Sequence, residues 1–422
     1  MLIFLNLLVP GSAQVLAGNR KFGRFALRAT FVFWSLIALL GAIALINRNW
    51  LLFIVTIPWV DVAMAGLLVL FAVIYAIVSI DTLRLLRIVR LPPRARLVTL
   101  VAMLGVGVLG TSAIAYAGNL AGVQASLIGT VFSQGGFTEP VDGRYNILLL
   151  GADAGRQRFG VRPDSISVLS IDAVTGQVVN IGIPRNMQKV PFVEGSPMRA
   201  LHPNGYNCGI DCLINAIYKD VTDNHADLYP DAEGKGSTPG VEATREAVEG
   251  VTGLKIQSYV LIDMVAFSGL IDALGGVTIN VKERLPIGGQ EDALGQPINV
   301  NGWIEPGVQH MNGKTALWYA RARHGSSDYA RMARQREVEA ALLKQLDPAS
   351  VMTRFQAIAS AGKKMIHTDI PGAMLGRYVD LASKAKKLGI KPLQLVPPTY
   401  DMVYPNFTKI HQDIKAALKK AS

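Results

Sequence analysis

The chain has 422 residues, of which 50% are hydrophobic and 17% charged, an apolar balance for a globular protein, so membrane spans are sought first. Its 42 Lys and Arg against 31 Asp and Glu leave +11, which admits a nucleic acid, an anionic membrane surface or an anionic substrate as partner. With 41 Gly, 21 Pro and two Cys it is neither collagen-like, nor low-complexity, nor a disulfide-dense small scaffold, and its length allows two or three domains.

In chain order, three apolar stretches come first, near residues 25–46, 62–80 and 97–117. Each approaches the ~20 residues that cross ~30 Å of hydrocarbon, so residues 1–118 form an all-helical transmembrane region of about three spans. A cleavable signal peptide does not fit three successive stretches with a charged loop among them. Residues 1–18 are apolar but broken by Pro10, Gly11 and Gly18, and are expected to lie in the interface or re-enter. Arg20, Lys21, Arg24 and Arg28 flank the first span and Arg84, Arg87, Arg90, Arg94 and Arg96 fill the second loop, whereas the first loop carries only Arg48. Basic loops stay inside, so the N-terminus is expected in the cytoplasm and everything after the third span outside it. Residues 1–118 hold 10 basic and 2 acidic side chains and the remainder 32 and 29, so most of the excess is topological and no nucleic-acid partner is expected.

Residues 119–143 read as a linker, 144–400 as one α/β domain and 401–422 as a C-terminal helix or tail. Strands are expected at 145–150, 165–171 and 178–183, with hairpin chemistry at 172–177. Helices follow near 211–222 and 240–251, a strand near 258–262, a helix ending at Gly275-Gly276, a strand at 277–281 and a run of helices from 314 to 388. The hairpin places Asp164, before its first strand, beside Arg185, after its second. If the 145–150 strand runs antiparallel to 165–171, Asp153 arrives at the same edge. Cys208 and Cys212 are an isolated pair outside the cytoplasm, for which a disulfide is the default; a zinc site would lack ligands beyond His202.

Five arginines fall within sixteen residues: Arg321, Arg323, Arg331, Arg334 and Arg336. Arg321 and Arg323 would point one way from an extended segment, and Asp328, Arg331 and Gln335 would share one helix face. Clustered cations repel by up to ~4 kcal/mol per close pair at an effective dielectric near 20 unless an anion is present, and the guanidinium fork suits phosphate. The plain alternative is a solvated helix with intrahelical pairs to Glu337 and Glu339. His324 is read as surface.

At these residues the sequence resembles the LytR-CpsA-Psr family of cell-wall glycopolymer ligases. The resemblance rests on residues 146–153 (NILLLGAD), 161–165 (VRPDS), 183–185 (IPR), 214–218 (INAIY), 270–277 (LIDALGGV) and 319–335 (YARARHGSSDYARMARQ). The PRNM form at 184–187, the Cys pair and the multi-span N-terminus look like the actinobacterial branch. The resemblance implies an α/β/α sandwich catalytic domain that takes a polyprenyl-pyrophosphate-linked glycan and transfers its glycosyl phosphate to a peptidoglycan hydroxyl. It implies Asp153 and Asp164 as ligands of magnesium or manganese, and Arg162, Arg185, Arg321, Arg323, Arg331 and Gln335 as the pyrophosphate cradle. Arg185, Arg321, Arg323 and Asp328 are the expected catalytic residues, with Asp328 as base or as an orienting partner of Arg323 or Arg331. Relatives also hold the lipid tail in an apolar pocket that this sequence does not locate. Many family members have Asp after the IPR arginine; Asn186 stands there in this chain, and no metal or base role is expected of it.

Rival functions are a pyrophosphatase acting on the same lipid, a non-catalytic scaffold for a lipid-linked glycan and a transcription regulator. The last conflicts with the expected topology. The polymer transferred leans by analogy toward arabinogalactan, with teichoic or capsular polymers as alternatives.

Overall fold

The computed structural model describes residues 6, 9–18, 20–46, 54, 58–85, 92–133, 136–152, 162–292, 296–322, 327–345 and 366–421. Two compact units are present, Met1–Ile128 and Gly129–Ser422. The first contains α1 (Ser12–Ala17), α2 (Arg20–Ile46), α3 (Pro58–Leu85) and all but the last turn of α4 (Pro93–Val131). Pro58 and Pro93 open their helices, where a missing N–H costs nothing. Among the described residues, three helical stretches, Arg20–Ile46, Val62–Leu85 and Arg96–Asn119, are long and apolar enough to cross a membrane. The α4 helix continues to Val131, so the first part of the stretch expected as linker is helical.

The N-terminal segment packs against α2 and α3 through buried polar contacts. Gln14 donates to the Val78 carbonyl (3.0 Å) and Thr82 Oγ1 (2.9 Å), and Asn6 to Ser79 Oγ (3.1 Å). Thr30 Oγ1 donates to the Pro10 carbonyl (2.9 Å). In hydrocarbon such groups need protein partners, and these contacts supply them for the donors, while Asn6 Oδ1 and Gln14 Oε1 find none among the described residues.

The second unit is built on a mixed six-stranded sheet. Its strands are β1 (Arg144–Ala152), β2 (Pro163–Asp172), β3 (Val178–Ile183), β4 (Ser258–Asp263), β11 (Ile366–Thr368) and β12 (Ile390–Gln394), in the order β11-β4-β1-β2-β3-β12. Strands β5 (Val277–Val281) and β10 (Gly307–Met311) pair with each other, as do β6 (Leu285–Ile287) with β9 (Gly302–Ile304), and β7 (Gln290–Glu291) with β8 (Pro297–Ile298). Helices are α5 (Pro197–Leu201), α6 (Ile214–Asn224), α7 (Pro239–Thr252), α8 (Met264–Ala273), α9 (Gly313–Arg321), α10 (Asp328–Gln345), α11 (Leu375–Leu388) and α12 (Phe407–Lys419).

The apolar run of β1 is buried on both faces, as a central strand requires. On one face Leu148, Leu150 and Ile166 meet Ile217 of α6, Val248 of α7 and Ile410 of α12. On the other, Tyr145, Ile147 and Ile171 meet Met374, just before α11, and Leu381 of α11. Ile271, Ile279, Tyr319 and Val338 form a further cluster joining α8, β5, α9 and α10. Helices on both faces make the expected α/β/α sandwich. The β2–β3 turn forms as expected: Asp172 Oδ1 accepts the N–H groups of Val174 (3.0 Å) and Thr175 (2.7 Å), and Gly176 takes φ +76°. Cys208 and Cys212 are bridged around a single 3-10 turn, Gly209–Asp211.

Two expectations are corrected. The helical run from 314 to 388 is interrupted by β11, which adds to the edge of β4. The chain then returns to the sheet as β12, parallel to β3. Arg321, expected with Arg323 in an extended segment, instead belongs to the last turn of α9; the chain leaves the helix at Ala322, with φ −51° and ψ 130°, and Arg323 lies outside the described residues.

Candidate active site

The topology gathers one end of the sheet. β1 is antiparallel to β2, β2 to β3, and β4 is parallel to β1, so the carboxyl ends of β1, β3 and β4 lie beside the start of β2. Ala152 is opposite Pro163 on one side and Asp263 on the other, with a register shift at Gly151/Ala152. Such irregularities at a sheet edge turn the strand and stop further pairing.

The predicted neighbours meet. Arg185 Nη1 donates to Asp164 Oδ1 at 2.6 Å, with 28% and 22% of the two side chains exposed. Arg331, 3% exposed in its side chain, donates from Nη2 to the Asp164 carbonyl (3.2 Å) and brings Nη1 to 3.9 Å from Asp164 Oδ2. One carboxylate thus lies between arginines from β3's exit and α10.

Asp164 also lines a cavity of about 410 Å³ between the sheet and helices α8, α9 and α10. Its walls divide by chemistry. Asp164, Arg321, Arg331, Gln335, Asp263 and Glu339 contribute polar groups. Leu149, Val260, Ile262, Phe267, Leu270 and Leu342 contribute apolar surface. Gln335 Oε1 is buried and has no hydrogen-bond partner among the described residues. Arg321 closes α9 and its guanidinium lies 5.9 Å from the Trp318 ring centroid.

Not every expected residue joins this group. Arg162 is exposed and is not part of the cavity wall; its charge acts on Tyr206. Burial and the Asp220 carboxylate, 3.0 Å from the Tyr206 hydroxyl, push that phenol well above its usual range, and Arg162 opposes the shift. Asp153, Arg323 and His324 lie outside the described residues. Asp328 is the first residue of α10, where the helix dipole favours a carboxylate, and its side chain is not among those described. Asn186 follows Arg185 with a buried Oδ1 that finds no partner among the described residues.

The arginine cluster itself is of two kinds. Arg334 and Arg336 are 5% and 7% exposed and serve the frame. Arg336 Nη1 donates to Ser167 Oγ (2.7 Å) and to Glu339 (2.7 Å), and Nη2 to Ser165 Oγ (3.1 Å). Ser165 and Ser167 share one strand face, so this guanidinium fastens α10 to β2 next to Asp164. Asn180 of β3 donates to the same Glu339 at 2.6 Å. The solvated-helix alternative is therefore not what forms: Glu339 does pair with Arg336, but under α10 rather than in water.

Two acids of the cavity wall were not among the expected site residues: Asp263, and Glu339, which was expected only as an intrahelical partner. Asp263 carries a legible signal, an Asp between a strand and an apolar helix, and it caps α8 by accepting the Ala266 N–H at 2.6 Å. Glu339 carries none; only the fold brings it beside Asn180.

The LytR_cpsA_psr family model matches residues 124–420. Biofilm regulatory protein A of Streptococcus mutans is 27% identical over 232 residues, 54% of this chain and 50% of that protein. The polyisoprenyl-teichoic acid–peptidoglycan teichoic acid transferase TagU of Oceanobacillus iheyensis is 29% identical over 227 residues, 53% of this chain and 58% of that protein. The chain thus spans about half the length of these curated relatives. The crystal structure of B. subtilis TagV aligns with 66% of this chain and 98% of its own at 21% identity and a TM-score of 0.45. The match of the family model over most of the sequence assigns the chain plainly: it belongs to the LytR_cpsA_psr family.

Proposed function

We propose that the second unit binds a polyprenyl-pyrophosphate-linked glycan and transfers the glycosyl phosphate to a peptidoglycan hydroxyl, as a phosphotransferase of cell-wall assembly. The observation that carries this reading is the cavity, whose arginines and apolar walls answer the two halves of one amphiphile. An isoprenoid would lie against Val260, Phe267 and Leu270, with its pyrophosphate at Arg331, Arg321 and Gln335. Family membership and the transferase activity in TagU's name point the same way.

The chemistry is a displacement at the glycan-bearing phosphorus. The acceptor hydroxyl oxygen forms the new P–O bond, the bond to the bridging oxygen breaks, and polyprenyl phosphate leaves with that electron pair. Arg185, Arg321 and Arg331, with Arg323 as a further cradle residue, would take up charge on the transferring and leaving groups, the main contribution expected for phosphoryl transfer. Asp328 is our candidate for the acceptor's proton. The donor chemistry suits a hard cation: Asp164 and Gln335, whose Oε1 is buried without a partner among the described residues, both line the cavity. Magnesium or manganese takes one or two carboxylates and completes its shell with water and phosphate oxygens. Asp164 with Asp153 would hold it, and when bound it would draw charge from the pyrophosphate oxygens.

The three apolar helices supply a membrane anchor, and the basic loops favour a cytoplasmic N-terminus with the second unit outside. A periplasm-type reporter fused at Ser422 would be active; one active only in the cytoplasm would refute this topology.

The test of function is to incubate the full-length protein in detergent with a lipid-linked glycan, magnesium and peptidoglycan fragments. A phosphodiester-joined product by mass spectrometry supports transfer and identifies the polymer. Polyprenyl phosphate with free glycan phosphate would make it a pyrophosphatase, and binding without turnover a scaffold.

A further inference from the structure

Arg334 sits among the cluster's cations in sequence but turns away from the cavity. Its Nε donates to the Tyr319 carbonyl (3.2 Å) and its Nη2 to the Ala322 carbonyl. Its Nη1 reaches Glu283 at 3.3 Å. Those two carbonyls bracket Arg321, which lines the cavity. They belong to the end of α9, where the last carbonyls of a helix have no partner of their own. The Ala322 N–H still bonds the Trp318 carbonyl (2.8 Å), and beyond it the chain turns away. One planar guanidinium holding a carbonyl on either side of Arg321 fixes the backbone from which that side chain departs. A lysine carries its donors on one nitrogen rather than on a spread planar fork, so it holds such a pair of carbonyls less well.

We propose that Arg334 is a positioning residue that aims Arg321 at the pyrophosphate. This rests on the lipid-pyrophosphate reading of the cavity. The seat of α9 has a separate support: the Tyr319 hydroxyl bonds Glu337, which also accepts from Lys282 at 2.8 Å. Loss of Arg334 therefore loosens the last turn of α9 and leaves the helix docked.

The test uses the full-length protein in detergent with geranylgeranyl pyrophosphate as the probe. Arg334→Gln is expected to weaken binding about tenfold, with Arg334→Lys between it and wild type, as is typical when a group that orients a ligand-contacting residue is removed. In an Arg321→Ala background the same Arg334→Gln change should cost less than about twofold, because a residue acting through another has nothing left to act on. Hydrogen exchange should quicken at residues 320–322 and not in the sheet. An equal loss in both backgrounds would show a general structural role and overturn the proposal, as would wild-type binding in Arg334→Gln. Should wild type itself ignore the probe, the lipid reading falls, and unchanged exchange at residues 320–322 would overturn the positioning claim separately.

Discussion

The β1–β2–β3 part of the sheet carries an arginine–aspartate pair at each end, and the two pairs do different work. At the closed end Arg144 donates to Ser170 Oγ (2.8 Å), the Ser170 carbonyl (2.9 Å), the Gln177 carbonyl (3.1 Å) and Asp172 (3.4 Å). Side-chain exposure is 6% for Arg144 and 13% for Asp172. At the open end the Arg185–Asp164 pair is 28% and 22% exposed and borders the cavity, with Arg331 converging on the same carboxylate. The closed pair is sealed by backbone and hydroxyl acceptors that end the sheet. The open pair brings a third charge and empty space together, which a purely structural pair has no need of.

Exchanging the arginines separates the two roles most sharply. Arg185→Ala should lower transfer by about 10²–10³-fold, the usual cost of a lost transition-state donor, and shift stability by only ~0–1 kcal/mol for a partly exposed pair. Arg144→Ala should do the reverse, costing about 3 kcal/mol of stability by stranding a buried partner while folded molecules keep their turnover. Product formation by mass spectrometry and thermal unfolding of the same preparations read both. If Arg185→Ala unfolds the protein and Arg144→Ala kills turnover, the comparison is inverted.

A smaller effect is expected from filling the apolar wall. Leu270→Trp should displace roughly 50 Å² of isoprenoid contact, which at ~25 cal/mol per Å² is about tenfold in affinity for a long-chain pyrophosphate. Inorganic pyrophosphate binding should change little. Equal losses for both ligands would place the anion, not the lipid, at Leu270.

The smallest effect is an acid limb from the closed end. Burial alone would raise the Asp172 pKa, but the N–H groups of Thr175 and Val174, the Thr175 hydroxyl and Arg144 outweigh it and hold the carboxyl below its usual value of about 3.8. The native state therefore binds fewer protons at Asp172 than the unfolded chain. Its contribution to stability is complete above the unfolded pKa and is lost as pH falls through the lower folded one. Unfolding followed from pH 6 down to pH 2 should show a shallower acid loss in Asp172→Asn. An unchanged acid limb would remove Asp172 from that role.

Local pattern revealed the open end before any fold was known. The hairpin 165–183 has a period-2 apolar run, a turn signal at Thr175-Gly176 and hence a register, and register alone predicts Asp164 beside Arg185. What pattern could not reveal depends on distant pairing. Strand β11 has three residues and exists because β4 offers it an edge. The cavity draws on β1, β2, β4, α8, α9 and α10, and no window of sequence contains it. Arg331 and Arg334 are three residues apart on one helix, yet one approaches the Asp164 carboxylate and the other the α9 carbonyls. Identical side chains at helical spacing cannot be told apart until the tilt of α10 against its neighbours is set.

The most direct test of the central claim is a structure of the full-length protein with a polyprenyl pyrophosphate. The account predicts pyrophosphate density within hydrogen-bonding reach of Arg331 and Arg321 beside Asp164, and the isoprenoid running between β4 and α8. Pyrophosphate bound elsewhere, or a cavity left empty while the lipid binds another surface, would contradict it.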